Sequence, residues 1–322
     1  MQNSGISKVS KDTILGALQQ SRITQEQYDV HSSSVLAKCE SEVPILDVPR
    51  LRKPLHCDID LVVSASIRAS VPILKRIFPD SESLINGTCF SMAIDGTQVD
   101  FISVEHPGMG AFFYTNSFSL PACFLVRGTP FILTTTGFHL KTRFGTNFVL
   151  SQDPEKVCAF LGITYEGLRA VRYADELFAL LSTSWLYDSK KILDVSEDEK
   201  DMKRDLMKEF RAFCEAHPAT ATVPTEDAAV SFFGRQEAYQ AFVAEETEKA
   251  RLEAIRKERE TKQAAVKRQL STEIAAKGVK GKEVGTMFDS FKTWIGDNKG
   301  MTYEEWAQTD PNVAEAFKEF KP

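Results

Sequence analysis

No window of this 322-residue chain approaches the roughly 18 uninterrupted apolar residues that a membrane-spanning helix needs, so no membrane partner is expected. The opening stretch MQNSGISKVSKDTILGAL also lacks the apolar centre of a secretion signal. Among the six cysteines, Cys39, Cys57, Cys89, Cys123, Cys158 and Cys214, there is no C-x-x-C pair, which argues against both a zinc site and a disulfide framework. These absences together lead us to expect a soluble, unsecreted protein with reduced thiols in a cytoplasmic compartment. Histidine is scarce too, and His31, His56, His106, His139 and His217 show no ligand-like spacing. The chain has no G-x-S-x-G turn, no Walker loop and no G-x-G-x-x-G fingerprint, and neither an internal repeat nor a low-complexity tract.

What is present is an ordinary globular composition, 43% hydrophobic, enough for a sizeable core. The net charge of −6 hides an asymmetry, since residues 249–300 carry 13 Lys/Arg against 7 Asp/Glu. That tail is a basic element on an otherwise acidic chain. Residues 1–45 read as a helical lead-in, with Ile14, Leu15 and Leu18 of KDTILGALQQSR at helical spacing. Residues 46–172 hold short β-rich runs, DIDLVV, CFSMAIDGTQVDFISVE, FLVRGTPFILTTTGFHL and TNFVL. The first two are separated by SIRASVPILKRIF, whose Ile67, Val71, Leu74 and Phe78 share one helical face. Residues 173–322 are helical in period, broken by AHPATATVPTED, where Thr225 followed by Asp227 marks a helix start. A long charged helix and a short helical hairpin close the chain.

The first β-run, HCDIDLVV, sets Asp58 and Asp60 two residues apart. In a strand such residues point the same way, while Ile59 and Leu61 pack on the other face. Neighbouring carboxylates repel unless a proton or cation lies between them. Downstream, Asp95-Gly96 is the dipeptide of a tight hairpin turn, and the strand leaving it carries Asp100 among apolar neighbours. If that strand pairs beside the first, three carboxylates converge, a hard oxygen set suited to Mg²⁺ or Mn²⁺ and, with two ions, to attack on phosphorus. A surface strand that merely alternates acidic and apolar residues is the competing explanation. The amphipathic helix between the strands and the third acid one hairpin later favour metal binding.

DIDLVV, a helix and then VDFI resemble the palm of DNA polymerase β-type nucleotidyltransferases. FFYTNSFSLPACFLVRGTPFILTTTGFHL and LSQDPEKVCAFLGITYE are similar to the thumb-side segment of the family-X polymerases, carried by Tyr114, Asn116, Ser117, Gly137, Leu161 and Gly162. The resemblance spans roughly residues 55–170. It implies an α/β fold, a nucleotidyltransferase palm with a small mixed sheet followed by a helical C-terminal region. It also implies that Asp58, Asp60 and Asp100 bind two divalent ions and act in catalysis, with an NTP or dNTP as substrate. On the same likeness Tyr114 lies near the nucleotide sugar, with Asn116 beside it.

One departure is plain: the Gly-Ser pair that the superfamily places before the acidic strand is missing from ILDVPRLRKPLHCDID. Either Arg50, Arg52 and Lys53 take over the phosphates, or Ser32, Ser33 and Ser34 of HSSS do, or triphosphate binding is lost. His56 precedes the acids and has a structural or a substrate-side role. In the tail, Gly278, Gly281 and Gly285 resemble the terminal helical element of some tRNA nucleotidyltransferases, although a glycine there is also an ordinary helix stop. Basic helices bind phosphate backbones irrespective of sequence, while i,i+4 pairs such as Glu253 with Lys257 offer a purely structural account. The expected activity is transfer of a nucleoside monophosphate to a nucleic-acid 3′ end, tRNA-like RNA ahead of DNA because of the basic tail. Transfer to a protein or small molecule, or a silent palm that only binds, are the alternatives, and the oligomeric state is left open.

Overall fold

A computed structural model describes residues 22–321, so the helix expected over Ile14, Leu15 and Leu18 lies outside the described residues. The chain divides into two compact units, Met1–Tyr239 and Gln240–Pro322.

In the first unit, β1 (Ile23–Thr24) leads into the helix Gln25–Cys39 and pairs antiparallel with β2 (Leu55–His56). Thr24 and Gln27 form a reciprocal cap: Gln27 N donates to Thr24 Oγ1 at 3.3 Å and Thr24 N to Gln27 Oε1 at 2.9 Å. Four strands follow: β3 (Ile59–Val63), β4 (Ser83–Asn86), β5 (Cys89–Ile94) and β6 (Thr97–Ser103). Their order is β3-β6-β5-β4, with β3 and β6 parallel and the other pairs antiparallel. The small mixed sheet is thus as expected, with β4 an addition. Its sequence SLIN is too short and too polar at its ends to register as a strand.

Parallel pairing of β3 with β6 requires a crossover. The helix Ile67–Ile77 supplies it, started by Ser66, whose hydroxyl accepts from Ala69 N at 3.2 Å. Leu74 and Phe78 from this helix, and Val35 and Cys39 from the first, pack on Ile59, Leu61, Val63, Val99 and Phe101. One face of the sheet is therefore committed to this core, and Asp60 and Asp100 stand on the other, where Val62 and Ile102 are also buried. The β5–β6 connection is the expected tight turn, with φ of 49° at Asp95 and 76° at Gly96.

Beyond β6 come the helix Pro107–Tyr114, a turn of 3₁₀ helix at Thr115–Ser117 and the helix Ser119–Val126. The residues FLVR, expected to open a strand, instead end this last helix, and β7 (Phe131–Thr134) starts only after Gly128-Thr129-Pro130. The stretch LPACFLV is apolar nearly all round because it is buried nearly all round, so no period distinguishes helix from strand. β7, β8 (Gly137–Lys141) and β9 (Asn147–Ser151) form an antiparallel sheet. The helix Pro154–Leu161 follows, capped by Asp153 Oδ1, which accepts from Glu155 N at 3.0 Å, and ended by Gly162 at φ 78°. Helices then dominate, including Ala174–Ser182, Asp205–Ala216 and Glu226–Phe232, the last capped by Thr225 as its sequence implies.

The second unit has its own core. Val266, Leu270 and Ile274 repeat every four residues on the helix Gln236–Ala276. They meet Phe291 and Ile295 of the helix Lys282–Lys299, together with Tyr303, Trp306 and Phe317. The chain is an α/β protein whose C-terminal region is helical. No single helix among the described residues is long and apolar enough to cross a membrane.

Candidate metal and nucleotide site

Alternation along β3 sends Ile59 and Leu61 into the core and Asp60 out of the opposite face, and on β6 it does the same for Val99 and Phe101 against Asp100. The parallel register places Asp60 directly beside Asp100. Asp58 sits one residue ahead of β3 and joins them: one carboxylate oxygen from each of the three lies within 4.8 Å of the others. The acids expected to converge do so. Oxygens bound to one Mg²⁺ at about 2.1 Å stand roughly 3–4 Å apart, so the donor set and its spacing suit such an ion with a slight closing of side chains.

The electrostatics agree. Burial first, then the charges of Asp58 and Asp100, push the Asp60 carboxyl up to about 6, against the opposing pull of Arg50 and Lys53. Asp58 is also raised, by burial and then by Asp100, and is held back by Lys53, Arg50 and Arg204. Carboxylates that resist ionising together are ones a divalent cation would relieve. Gln98, two residues before Asp100 on the same face, donates its amide to both Asp100 oxygens at 3.0 and 3.1 Å and so fixes that carboxylate's orientation.

A cavity of about 600 Å³ adjoins these acids. Asp58 and Asp60 line it, with Arg50, Arg52, Lys53 and Tyr114. The expected residues do not share one role. Arg50 donates from Nη1 to Tyr114 O at 3.1 Å and from Nη2 to Asp60 O at 2.9 Å, bracing β3 against the helix that ends at Tyr114. Arg52 reaches Asp29 Oδ2 at 3.4 Å, whereas the Lys53 ammonium has no ion pair among the described residues. Tyr114 forms part of the wall, its hydroxyl pKa raised by burial and then by Asp60.

Asn116 is fully buried and does not line the cavity. Its Nδ2 donates to Leu168 O at 2.7 Å and its backbone N to Pro49 O at 2.7 Å, which ties the cation-bearing segment to the helix behind it. His56 is also buried, stacked on Tyr28 at 4.1 Å with Nε2 3.0 Å from Gln25 Oε1, and burial followed by Lys53 lowers its pKa to about 4. It stays neutral at physiological pH and serves as a structural link. Ser32 and Ser33 lie within the helix Gln25–Cys39 and line a neighbouring groove of about 610 Å³, which shares Arg50 and Asp60 with the first cavity. Ser117, Ser119 and Arg204 also line the main cavity. Sequence reasoning named Ser117 only for the family resemblance and missed Ser119 and Arg204, and no local pattern marks Arg204, which sits in an ordinary polar stretch before a helix.

Fold and site together define an α/β protein with a three-carboxylate centre suited to a divalent metal, at a mixed sheet and on the face away from its main core. No protein-family model matches the chain, and no curated protein does. Two crystal structures of Leishmania infantum polymerase beta are similar to it, a ternary gap complex and a ternary P/T complex. Each is 14% identical and covers 56% of this chain, with 74% and 81% of those chains matched at TM-scores of 0.33 and 0.35. The functional reading rests on the carboxylate geometry and not on this likeness.

Proposed function

We propose that the protein is a metal-dependent nucleotidyltransferase that moves a nucleoside monophosphate from an NTP or dNTP to the 3′ end of a nucleic acid, RNA ahead of DNA. The convergence of Asp58, Asp60 and Asp100 beside a cation-lined cavity carries the reading. These three carboxylates would hold two Mg²⁺ or Mn²⁺ ions, which when bound neutralise phosphate charge and lower the pKa of an attacking hydroxyl. In the reaction the acceptor oxygen forms a bond to the α-phosphorus, the bond from that phosphorus to the bridging oxygen breaks, and pyrophosphate leaves. Asp100, to which the Gln98 amide donates, would ligate the catalytic ion and so help lower the pKa of the acceptor hydroxyl. Lys53, with Arg50 and Arg52 beside it, supplies the positive edge for the phosphates.

The second unit supports a nucleic-acid acceptor. From residue 245 to 262 the basic side chains Lys249, Arg251, Arg256, Lys257 and Lys262 are paired with acids, Arg259 alone making no ion pair among the described residues, so that stretch is a largely self-neutralised helix face. Lys267, Arg268, Lys277, Lys280, Lys282 and Lys292 make no ion pair among the described residues. Lys267 and Lys292 instead converge on the Phe288 ring at 5.9 and 5.2 Å. Uncompensated cations of this kind suit a polyphosphate backbone.

The test incubates wild type, Asp58→Asn and Asp100→Asn with each labelled NTP and dNTP, Mg²⁺ or Mn²⁺, and RNA, DNA and protein acceptors. Metal-dependent labelling of a nucleic acid by wild type alone is expected. Labelling without nucleic acid would move the acceptor to a protein or small molecule, and turnover equal in all three proteins would overturn the site.

A further inference from the structure

The cavity beside the acids has two walls. One is the segment around Lys53 that precedes β3. The other comes from about 150 residues later in the chain, where Arg204, Asp205 and Glu209 stand at the start of the helix Asp205–Ala216. Lys53 and Arg204 thus line one cavity from different parts of the chain, and Asp58 lines it too.

A nucleoside triphosphate and the three carboxylates that would share its two divalent ions together carry more negative charge than those ions offset, and this chain lacks the Gly-Ser turn that would offer backbone donors. Five cations line the cavity, Arg22, Arg50, Arg52, Lys53 and Arg204, and they divide by whether they are free; Arg22, at the edge of the described residues, makes no ion pair among them. The Arg50 guanidinium is occupied by two main-chain carbonyls, and Arg52 is drawn to Asp29. Arg204 has one ion pair, Nε to Asp201 Oδ1 at 3.5 Å, and its two Nη nitrogens make no hydrogen bond among the described residues. Lys53 Nζ is likewise unpaired. Both line the cavity that Asp58 and Asp60 also line, beside the metal-binding acids. A guanidinium fork fits two non-bridging phosphate oxygens, and an ammonium adds a point charge.

We propose that Arg204, acting with Lys53 across the cavity, binds the β- and γ-phosphates of the nucleoside triphosphate. The inference rests on the nucleotidyltransferase reading and brings to that site a residue about 150 positions beyond the segment that precedes β3. Arg204 is then the residue that separates triphosphate from monophosphate ligands.

The test measures equilibrium binding, without acceptor and in Mg²⁺, of the four NTPs, the four dNTPs, their monophosphates and inorganic tripolyphosphate. The proteins are wild type, Arg204→Gln, Arg204→Lys, Lys53→Gln and Asp201→Asn, each checked for an unchanged melting profile. Arg204→Gln should weaken triphosphate and tripolyphosphate binding at least tenfold and leave monophosphates unaffected, with Lys restoring part of the loss. Asp201→Asn should bind triphosphate as well as wild type or better. Unchanged triphosphate affinity in Arg204→Gln, beside normal wild-type binding, overturns this inference and leaves the activity standing. An equal loss for monophosphate and triphosphate overturns it as well, since that is the signature of a merely structural arginine. A wild type that binds no triphosphate overturns both this inference and the reading beneath it.

Discussion

Replacing Asp60 by Asn should make the metal-free protein more stable at neutral pH, although the residue belongs to the proposed catalytic centre. The Asp60 carboxyl is raised from 3.8 to about 6, by burial first and then by Asp58 and Asp100. A folded-state pKa above the unfolded one means that the folded protein holds the proton more tightly. Its contribution is complete below the unfolded pKa, near 3.8, and is lost as pH rises through about 6. At about 1.4 kcal/mol per pKa unit, the ionised carboxylate costs roughly 3 kcal/mol above pH 7, and the uncharged amide removes most of that. For a unit of this size the gain corresponds to a melting shift of roughly 4–10 °C. Calorimetry in EDTA at pH 7.5 should show Asp60→Asn melting higher than wild type, and at pH 4 the two should nearly coincide. Millimolar Mg²⁺ should raise wild type far more than the variant and narrow or reverse the order. A variant less stable than wild type in EDTA at pH 7.5, or a difference that does not change with pH, would refute the account of a strained, metal-seeking cluster.

Three further outcomes are expected. Gly110→Ala should cost about 1–3 kcal/mol in urea unfolding, because the added Cβ would lie 2.5 Å from the Val104 side chain, where the helix Pro107–Tyr114 meets the end of β6. Asn116→Ala should also cost about 1–3 kcal/mol, through the lost bond to Leu168 O and a backbone φ of 50°, yet leave triphosphate affinity intact at a temperature where the variant is folded. Weakened nucleotide binding at full stability would instead place its amide on the ligand. Changing Lys267, Arg268, Lys277, Lys280, Lys282 and Lys292 to Gln should flatten the salt dependence of RNA and DNA binding by roughly 0.7–0.9 in log-log slope for each phosphate no longer neutralised. The same change at the paired Lys249, Arg251, Arg256 and Lys257 should move that slope little, and equal effects from the two sets would refute the division.

Much of the site is legible in residues near one another along the chain. Alternation in Ile59–Val63 and Thr97–Ser103 marks which side chains leave the core, and Asp95-Gly96 marks the turn between β5 and β6. Thr225 and Asp153 mark helix starts and Gly162 a helix stop, since caps and turns are settled by a few neighbouring atoms. Local pattern fails where burial is all-round, and so the end of the helix Ser119–Val126 read as strand. The division at Tyr239 and Gln240 likewise falls inside one continuous helix, where composition marks no boundary.

Residue order alone turns Asp60 and Asp100 away from the core, because side-chain alternation is a property of the strand itself, and it sets Asp58 one residue ahead of β3. Only the tertiary structure decided that Asp60 and Asp100 are neighbours, since parallel register depends on how a crossover helix and two more strands pack. Packing also decided which cations remain free for a ligand. Arg50, Arg52 and Lys53 are near-equivalents in the sequence, but carbonyls and an acid engage the first two, and only Lys53 is left to face Arg204. A charge's partner is set by distance in space, which the order of residues along the chain does not specify.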